Sequence, residues 1–391
     1  MQINEIIMIS MGPAGMPETW SGVPYFLLSE LRRRGIIVYE VDLEPHHYIK
    51  WLYNKVIMPL VSLFVTKGEL SIYRSLFFRI YQYVVLQNKL RKYDSADLVL
   101  GVSSFNIAVP KSSKPVVLFS DWPFSYDLLR KKIEVGFYQN CCLKEEDRCM
   151  KNADILISLF PTCAKYINQR LGLEKARYLG VNVVNNMGPQ PTSELILNKC
   201  NKCRIVFIGR HHYLPGAILL LNAYCELLGS IPDIELDVIG LRSSDFPVGI
   251  LDKLNENVRF WGYLDKGIPE QRKIYYDILS NASLYVNTTA GWVGYTSMIE
   301  AMFFYTPVLV YPCVEFLDEF GDNVDFGVYA DTDSPLLLAK YIKDIWTDEN
   351  YCQMAKSAHC RVENYTWPQF VDRLIDVSNA VKTTGFRVKS K

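Results

Sequence analysis

The chain has 391 residues, of which 49% are hydrophobic and 21% charged: enough apolar material for two full cores, which excludes a disordered protein. Lysine plus arginine and aspartate plus glutamate number 42 each, yet residues 1–185 carry a net +6 and residues 186–391 a net −6. No basic stripe runs through the second half, and nucleic acid is therefore not expected as a partner.

In chain order, Ile6–Ser10, Ile36–Asp42, Leu98–Val102, Val116–Ser120 and Ile155–Leu159 are short apolar runs, the pattern of parallel strands buried on both faces. The opening MQINEIIMISMG lacks the basic start of a signal peptide and reads as the first core strand. After it comes TWSGVPYFLLSELRRRG, a loop holding Gly22 and a helix over Pro24–Arg34, with Ser21 as its cap and Pro24 in its first turn. Gly22 either lets the backbone approach a ligand or simply makes the turn. Asp121, in Leu118-Phe-Ser-Asp-Trp-Pro, ends the fourth strand, where it either orients a reacting hydroxyl or caps the turn before Pro123.

Residues 46–92 hold eight basic residues against Glu69 alone, interleaved with aromatic residues such as Trp51, Tyr53, Phe77 and Phe78. Two readings stay open: peripheral contact with an anionic membrane surface, or a helical insertion with a buried apolar side and a solvated basic face. Val56–Val65 is apolar but short and interrupted by Pro59, well under the roughly 20 residues of a spanning helix. The cysteine pairs Cys141-Cys142 and Cys200-Asn-Lys-Cys203 have no second pair at metal-binding spacing and read as reduced and structural.

Residues 186–202, with Gly188, Pro189 and Pro191, read as a linker between domains 1–185 and 203–365; residues 366–391 form a last amphipathic helix and a basic tail. In the second domain Ile205–Arg210 is a strand ending in Gly209-Arg210, followed by a helix over Ala217–Leu228, a strand over Ile234–Gly240, and a short strand that stops at Gly262. Arg210 is suited to a diphosphate, since a guanidinium matches two phosphate oxygens at once; the alternative is an ordinary solvated arginine after a strand. Asp331-Thr-Asp333 precedes Ser334-Pro335 and reads as helix capping rather than a metal site.

The richest stretch is LYVNTTAGWVGYTSMIEAMFFYTPVLVY, Leu284–Tyr311: strand, glycine loop, helix, strand. In such a unit the loop and the helix start lie at the carboxyl edge of a parallel sheet, where free backbone N–H groups suit a phosphate. Glu300, about one turn into the helix, is placed either to accept hydrogen bonds from sugar hydroxyls or to close a capping box with Ser297.

The order and spacing of these blocks resemble the nucleotide-binding domain of GT-B glycosyltransferases, and are most similar to the retaining family four. A weaker echo runs through TWSGVPYFLLSELRRRG and Lys144–Asn182, so the resemblance spans nearly the whole chain. It implies an α/β protein of two Rossmann-like doubly wound domains facing a cleft, with the C-terminal helix crossing back to the first. It further implies a hexosyl transfer from a nucleotide diphosphate sugar that is bound by Gly22, Gly209, Arg210, Trp292, Gly294, Tyr295, Thr296 and Glu300. Catalytic roles are expected for Arg210, Glu300 and Asp121. No metal or resident cofactor is expected, the sugar nucleotide being a co-substrate. The implied acceptor is a saccharide or lipid-linked saccharide of cell-surface polysaccharide synthesis, met in the cytoplasm at the inner face of the cell membrane.

Two departures fall on the donor. Trp292 stands where the family usually has a second carboxylate, and Pro215 where it usually has a lysine after the Gly-Arg pair. Transfer develops negative charge on the leaving diphosphate, and removing one fixed donor from such a charge typically costs about 2.7–4 kcal/mol. His211, His212 and Lys266 are the candidates to replace the missing charge. The departures keep a second class open, a degenerate GT-B protein that binds a sugar nucleotide or a partner without transfer, and more remotely a sugar-nucleotide epimerase.

Overall fold

Twelve strands form two wholly parallel sheets in the computed structural model, which describes residues 3–63, 70–180, 188–290 and 296–384, the side chains of 382–384 excepted. The first sheet contains β1 (Glu5–Ser10), β2 (Ile37–Asp42), β3 (Leu98–Val102), β4 (Val116–Ser120), β5 (Ile155–Ser158) and β6 (Ala176–Tyr178), ordered β2-β1-β3-β4-β5-β6. The second contains β7 (Arg204–Ile208), β8 (Glu235–Ile239), β9 (Val258–Gly262), β10 (Leu284–Asn287), β11 (Val308–Val310) and β12 (Gly327–Tyr329), ordered β12-β11-β10-β7-β8-β9. Every residue of β3 and β4 is buried, as expected for strands covered by helices on both faces. β6 and β12 are three-residue edge strands, too short to stand out as apolar runs.

Counted within its own unit, the second sheet runs 3-2-1-4-5-6, so the chain reverses direction between β7 and β10. In the first sheet the reversal falls between β1 and β3. Open sheets of this kind bind ligands beyond the carboxyl ends of the strands at the reversal.

The chain divides into a unit of residues 1–181 with 368–391 and a unit of 182–367. In the first, the helix that begins at Trp367 is held by Arg34, whose guanidinium donates to the Pro368 carbonyl at 2.5 Å and pairs with Asp372, while Phe370 packs 5.2 Å from Phe119 of β4. The first helix, Val23–Arg33, keeps Pro24 in its opening turn, but Ser21 does not cap it. Gly22 occupies the cap position with φ +83°, a left-handed conformation that disfavours side chains, and Ser21 is itself left-handed at +56°.

The stretch read as a linker, 186–202, contains the helix Glu194–Cys200, and its Lys199 is wholly buried. The lysine Nζ donates to the Leu279 carbonyl at 2.9 Å, the Phe304 carbonyl at 2.6 Å and Thr306 Oγ1 at 2.7 Å. Leu279 is near the end of the helix Pro269–Asn281 and Phe304 just past the helix Thr296–Phe303, so the lysine satisfies carbonyls left over at two helix ends. Burial pushes its pKa well below the usual lysine range, while the three acceptors take all three ammonium protons. Lys199→Met keeps the length but leaves these acceptors unmatched, and should lower the unfolding free energy by about 1–3 kcal/mol or more, read as a shift of the urea midpoint.

Candidate active site at the edge of the second sheet

At the reversal of the second sheet, β7 is followed by Gly209 and Arg210. Gly209 continues the ladder by donating to the Ile239 carbonyl at 3.0 Å, and a Cβ there would stand 2.6 Å from Tyr213, so the turn into the next helix requires glycine. That helix, Leu214–Leu228, begins three residues earlier than the sequence pattern indicates, and Pro215 lies in its first turn, where a missing N–H costs nothing. Arg210 is exposed, and its guanidinium stacks 4.5 Å from the Tyr263 ring centroid, a cation–π contact that orients the side chain without using up its hydrogen bonds. His211 and His212 follow in a short 3-10 turn and are exposed.

On the other side of the reversal, β10 leads into Asn287, which donates to the Ile208 carbonyl at 3.4 Å and accepts from Thr289 N at 3.2 Å. Thr296 opens the helix Thr296–Phe303. Trp292, Gly294 and Tyr295, all singled out in the sequence, lie outside the described residues.

Glu300 is almost wholly buried on that helix, and the structure replaces its capping-box reading. Both carboxylate oxygens accept from Lys266 Nζ, at 3.0 and 3.1 Å, and Oε2 also accepts from the Tyr275 hydroxyl at 2.5 Å. Ser297 turns instead to the Tyr285 hydroxyl at 3.0 Å. Burial, and then the Glu300 charge, hold the Tyr275 hydroxyl far above the usual tyrosine range, so it stays protonated and donates. Lys266 also lies over the Tyr275 ring, 4.8 Å from its centroid.

Lys266 and Tyr263 belong to one connection, the loop after β9. That loop therefore touches both Arg210, at the end of β7, and Glu300, on the helix after β10. Tyr263 and Tyr275 escaped the sequence reading, because an isolated tyrosine after a strand or inside a helix gives no spacing signal. Lys266, considered there as a stand-in cation for a diphosphate, is engaged with Glu300.

Gly22 and Asp121 belong to the first unit. Gly22 is crowded by the Phe26 ring, 2.8 Å from where a Cβ would be, which accounts for it as a turn. Asp121 Oδ1 accepts from Ser120 Oγ at 3.1 Å and Trp122 N at 2.8 Å, the local pattern of a turn carboxylate, and the Trp20 side chain also bonds to it. Burial raises its pKa against these hydrogen bonds. Trp20 and Ser21 on the loop after β1, and Ser103 after β3, have left-handed backbones at φ +41°, +56° and +79°. Strain of this kind gathers at working sites, and here it flanks the reversal of the first sheet. Next to Asp121, the segment is anchored by Glu146, buried on the helix Phe137–Asn152, which accepts from Phe124 N at 2.8 Å. Asp331 and Asp333 do not cap the helix Pro335–Thr347; Ser334 does, accepting from Leu337 N at 3.4 Å.

The two sheets, their strand orders and their helices define the GT-B fold. Solved structures similar to the chain include a sucrose-phosphate synthase from Thermosynechococcus elongatus, 13% identical, covering 97% of this chain and 100% of that one at a TM-score of 0.65. WaaG, a glycosyltransferase involved in lipopolysaccharide biosynthesis, is 14% identical over 95% and 99% at 0.62, and Anabaena HepE in complex with UDP and glucose is 12% identical over 97% and 100% at 0.60. No curated protein sequence matches the chain. Residues 202–348 match the family model described as glycosyl transferases group 1. That match falls within the second unit, and the similar solved structures show that the chain has the GT-B fold.

Two measurements probe these contacts. Lys266→Met strands a buried carboxylate, a loss toward the lower end of about 3–5 kcal/mol because Lys266 is partly open to water, whereas Lys266→Met with Glu300→Met should recover part of it in a urea titration. Burial raises the Glu146 carboxyl from 4.5 to about 7, against the opposing Phe124 N–H and Arg74. Its folded-state value lies above the unfolded one, so its contribution to stability is full below 4.5 and is lost as pH rises to about 7; Glu146→Gln should flatten that part of the stability profile relative to wild type.

Proposed function

We propose that the second unit binds a nucleotide diphosphate sugar at the β7–β10 reversal, and that the chain transfers its sugar with retention to a saccharide or lipid-linked acceptor. In this reading the product enters a cell-surface polysaccharide, and the acceptor is met in the cytoplasm at the inner face of the membrane. The observation that carries the reading is Arg210: an exposed guanidinium, held by Tyr263 at the end of a strand beside the reversal. HepE, of the same fold, is solved with UDP and glucose.

The chemistry follows from charge. The bond from the sugar's anomeric carbon to the diphosphate breaks, one to the acceptor oxygen forms, and the acceptor hydroxyl gives up its proton. Charge accumulates on the leaving diphosphate, and a preorganised guanidinium, with the N–H groups at the start of the helix that Thr296 opens, offsets it more in the transition state than in the ground state. Gly294 and Tyr295 would complete that cradle. Glu300 Oε1 accepts one hydrogen bond, from Lys266, which leaves a lone pair for a sugar hydroxyl. Asp121 would act toward the acceptor. No resident cofactor is required.

With Pro215 in place of a lysine and Lys266 committed to Glu300, the diphosphate relies on Arg210 together with the helix-start N–H groups. Arg210→Ala should weaken nucleoside diphosphate binding by about tenfold to a hundredfold, from the loss of charged hydrogen bonds, and leave nucleoside binding nearly unchanged. Calorimetry with UDP, GDP, ADP and TDP and their nucleosides reads this; an equal fall in both would remove the diphosphate role. The same proteins incubated with sugar nucleotides and analysed by NMR separate transfer from binding alone, since thermal stabilisation without sugar consumption would favour a binding protein.

A further inference from the structure

The first unit carries an apolar surface that its own core does not use. Residues 47–62 form one helical run, His47–Leu52, a π turn Tyr53–Ile57 and Met58–Ser62, with Pro59 accommodated in the opening turn of the last piece. Its inner side supplies Tyr53, Ile49, Ile57 and Met58 to a small core around Ile72 and Phe78. Its outer side leaves Trp51, Leu52, Val56 and Leu60 in water, Leu60 at 58% exposure.

The helix Leu76–Lys92 repeats the pattern. Phe78, Gln82 and Leu86 are buried at four-residue spacing, while Leu76, Ile80 and Val84, two residues ahead of each, are 73%, 59% and 53% exposed. Two residues on an α-helix turn through about 200°, so the apolar rows occupy opposite faces. A helix packed on one side only would carry polar residues on the other.

Charge selects the occupant. Lys50 is paired with Glu44 and Arg79 with Glu145, while Lys55, Arg91 and Lys92 are exposed on the same two helical elements. A second copy of this chain would bring like charges face to face, whereas an anionic surface complements them. No helix among the described residues is long and apolar enough to cross a membrane, so contact is confined to the interface.

We propose that the helical elements 47–62 and 76–92 dock the protein on an anionic lipid bilayer, with Val56, Leu60 and Ile80 entering the headgroup boundary and Lys55, Arg91 and Lys92 meeting lipid phosphates. This extends the reading of a lipid-linked acceptor. The assay below needs neither donor nor acceptor, so retained vesicle binding without sugar transfer would count against that reading and not against this one.

The full chain is sedimented with vesicles of phosphatidylcholine alone or mixed with phosphatidylglycerol, at rising salt. Binding to the mixed vesicles only, weakening with salt, is expected. Combining Val56→Glu, Leu60→Glu and Ile80→Glu should lower that binding by about tenfold or more without shifting the melting temperature or nucleoside diphosphate binding. Lys55→Glu with Arg91→Glu, which alters no apolar contact, should weaken it as well. Equal binding to both vesicle types, unchanged binding by both variants, or a dimer in sedimentation velocity that the glutamate variant dissolves would overturn the proposal.

Discussion

A nearly wholly buried carboxylate at the edge of the second sheet sets the geometry of everything around it. Glu300 is compatible with its surroundings only because Lys266 and Tyr275 converge on it from another connection and another helix. That requirement ties the loop after β9 to the helix after β10. The same loop carries Tyr263, and Tyr263 carries Arg210. A single ion pair on one side of the reversal thus determines where the cation on the other side rests, although β7 and the helix of Glu300 are far apart in sequence.

Most of the architecture was legible because parallel strands buried on both faces leave apolar runs, as β1, β3, β4, β5, β7 and β10 do. The failures have local causes. β6 and β12 are three residues long and leave no run. Glycine and prolines made 186–202 look like a tether, and a lysine is ordinarily evidence of solvent, yet Lys199 is inside. The site divides in the same way: Gly209 and Arg210 follow from strand-end logic, whereas the partners of Glu300 lie 25 and 34 residues away, and only folding reveals them. Ser297 and Glu300 have capping-box spacing, but tertiary partners outcompete the local ones.

The segment 46–92 shows a different limit. Composition gave both readings of it equal support, because apolar residues count alike whether they face inward or outward. The helical phase separates them: the rows of Phe78 and Ile80 differ by two residues and point to opposite sides. The inward rows form a small core beneath the helices, and the outward rows leave an uncovered apolar face above it.

Lys199 also bears on how the molecule can be divided. A fragment begun at Cys203, the natural boundary if the preceding stretch were a tether, would lack the helix Glu194–Cys200 and expose the ends of two others. An excised second unit therefore has to start upstream of Glu194. A shorter version would aggregate or melt early for reasons unrelated to its ligand.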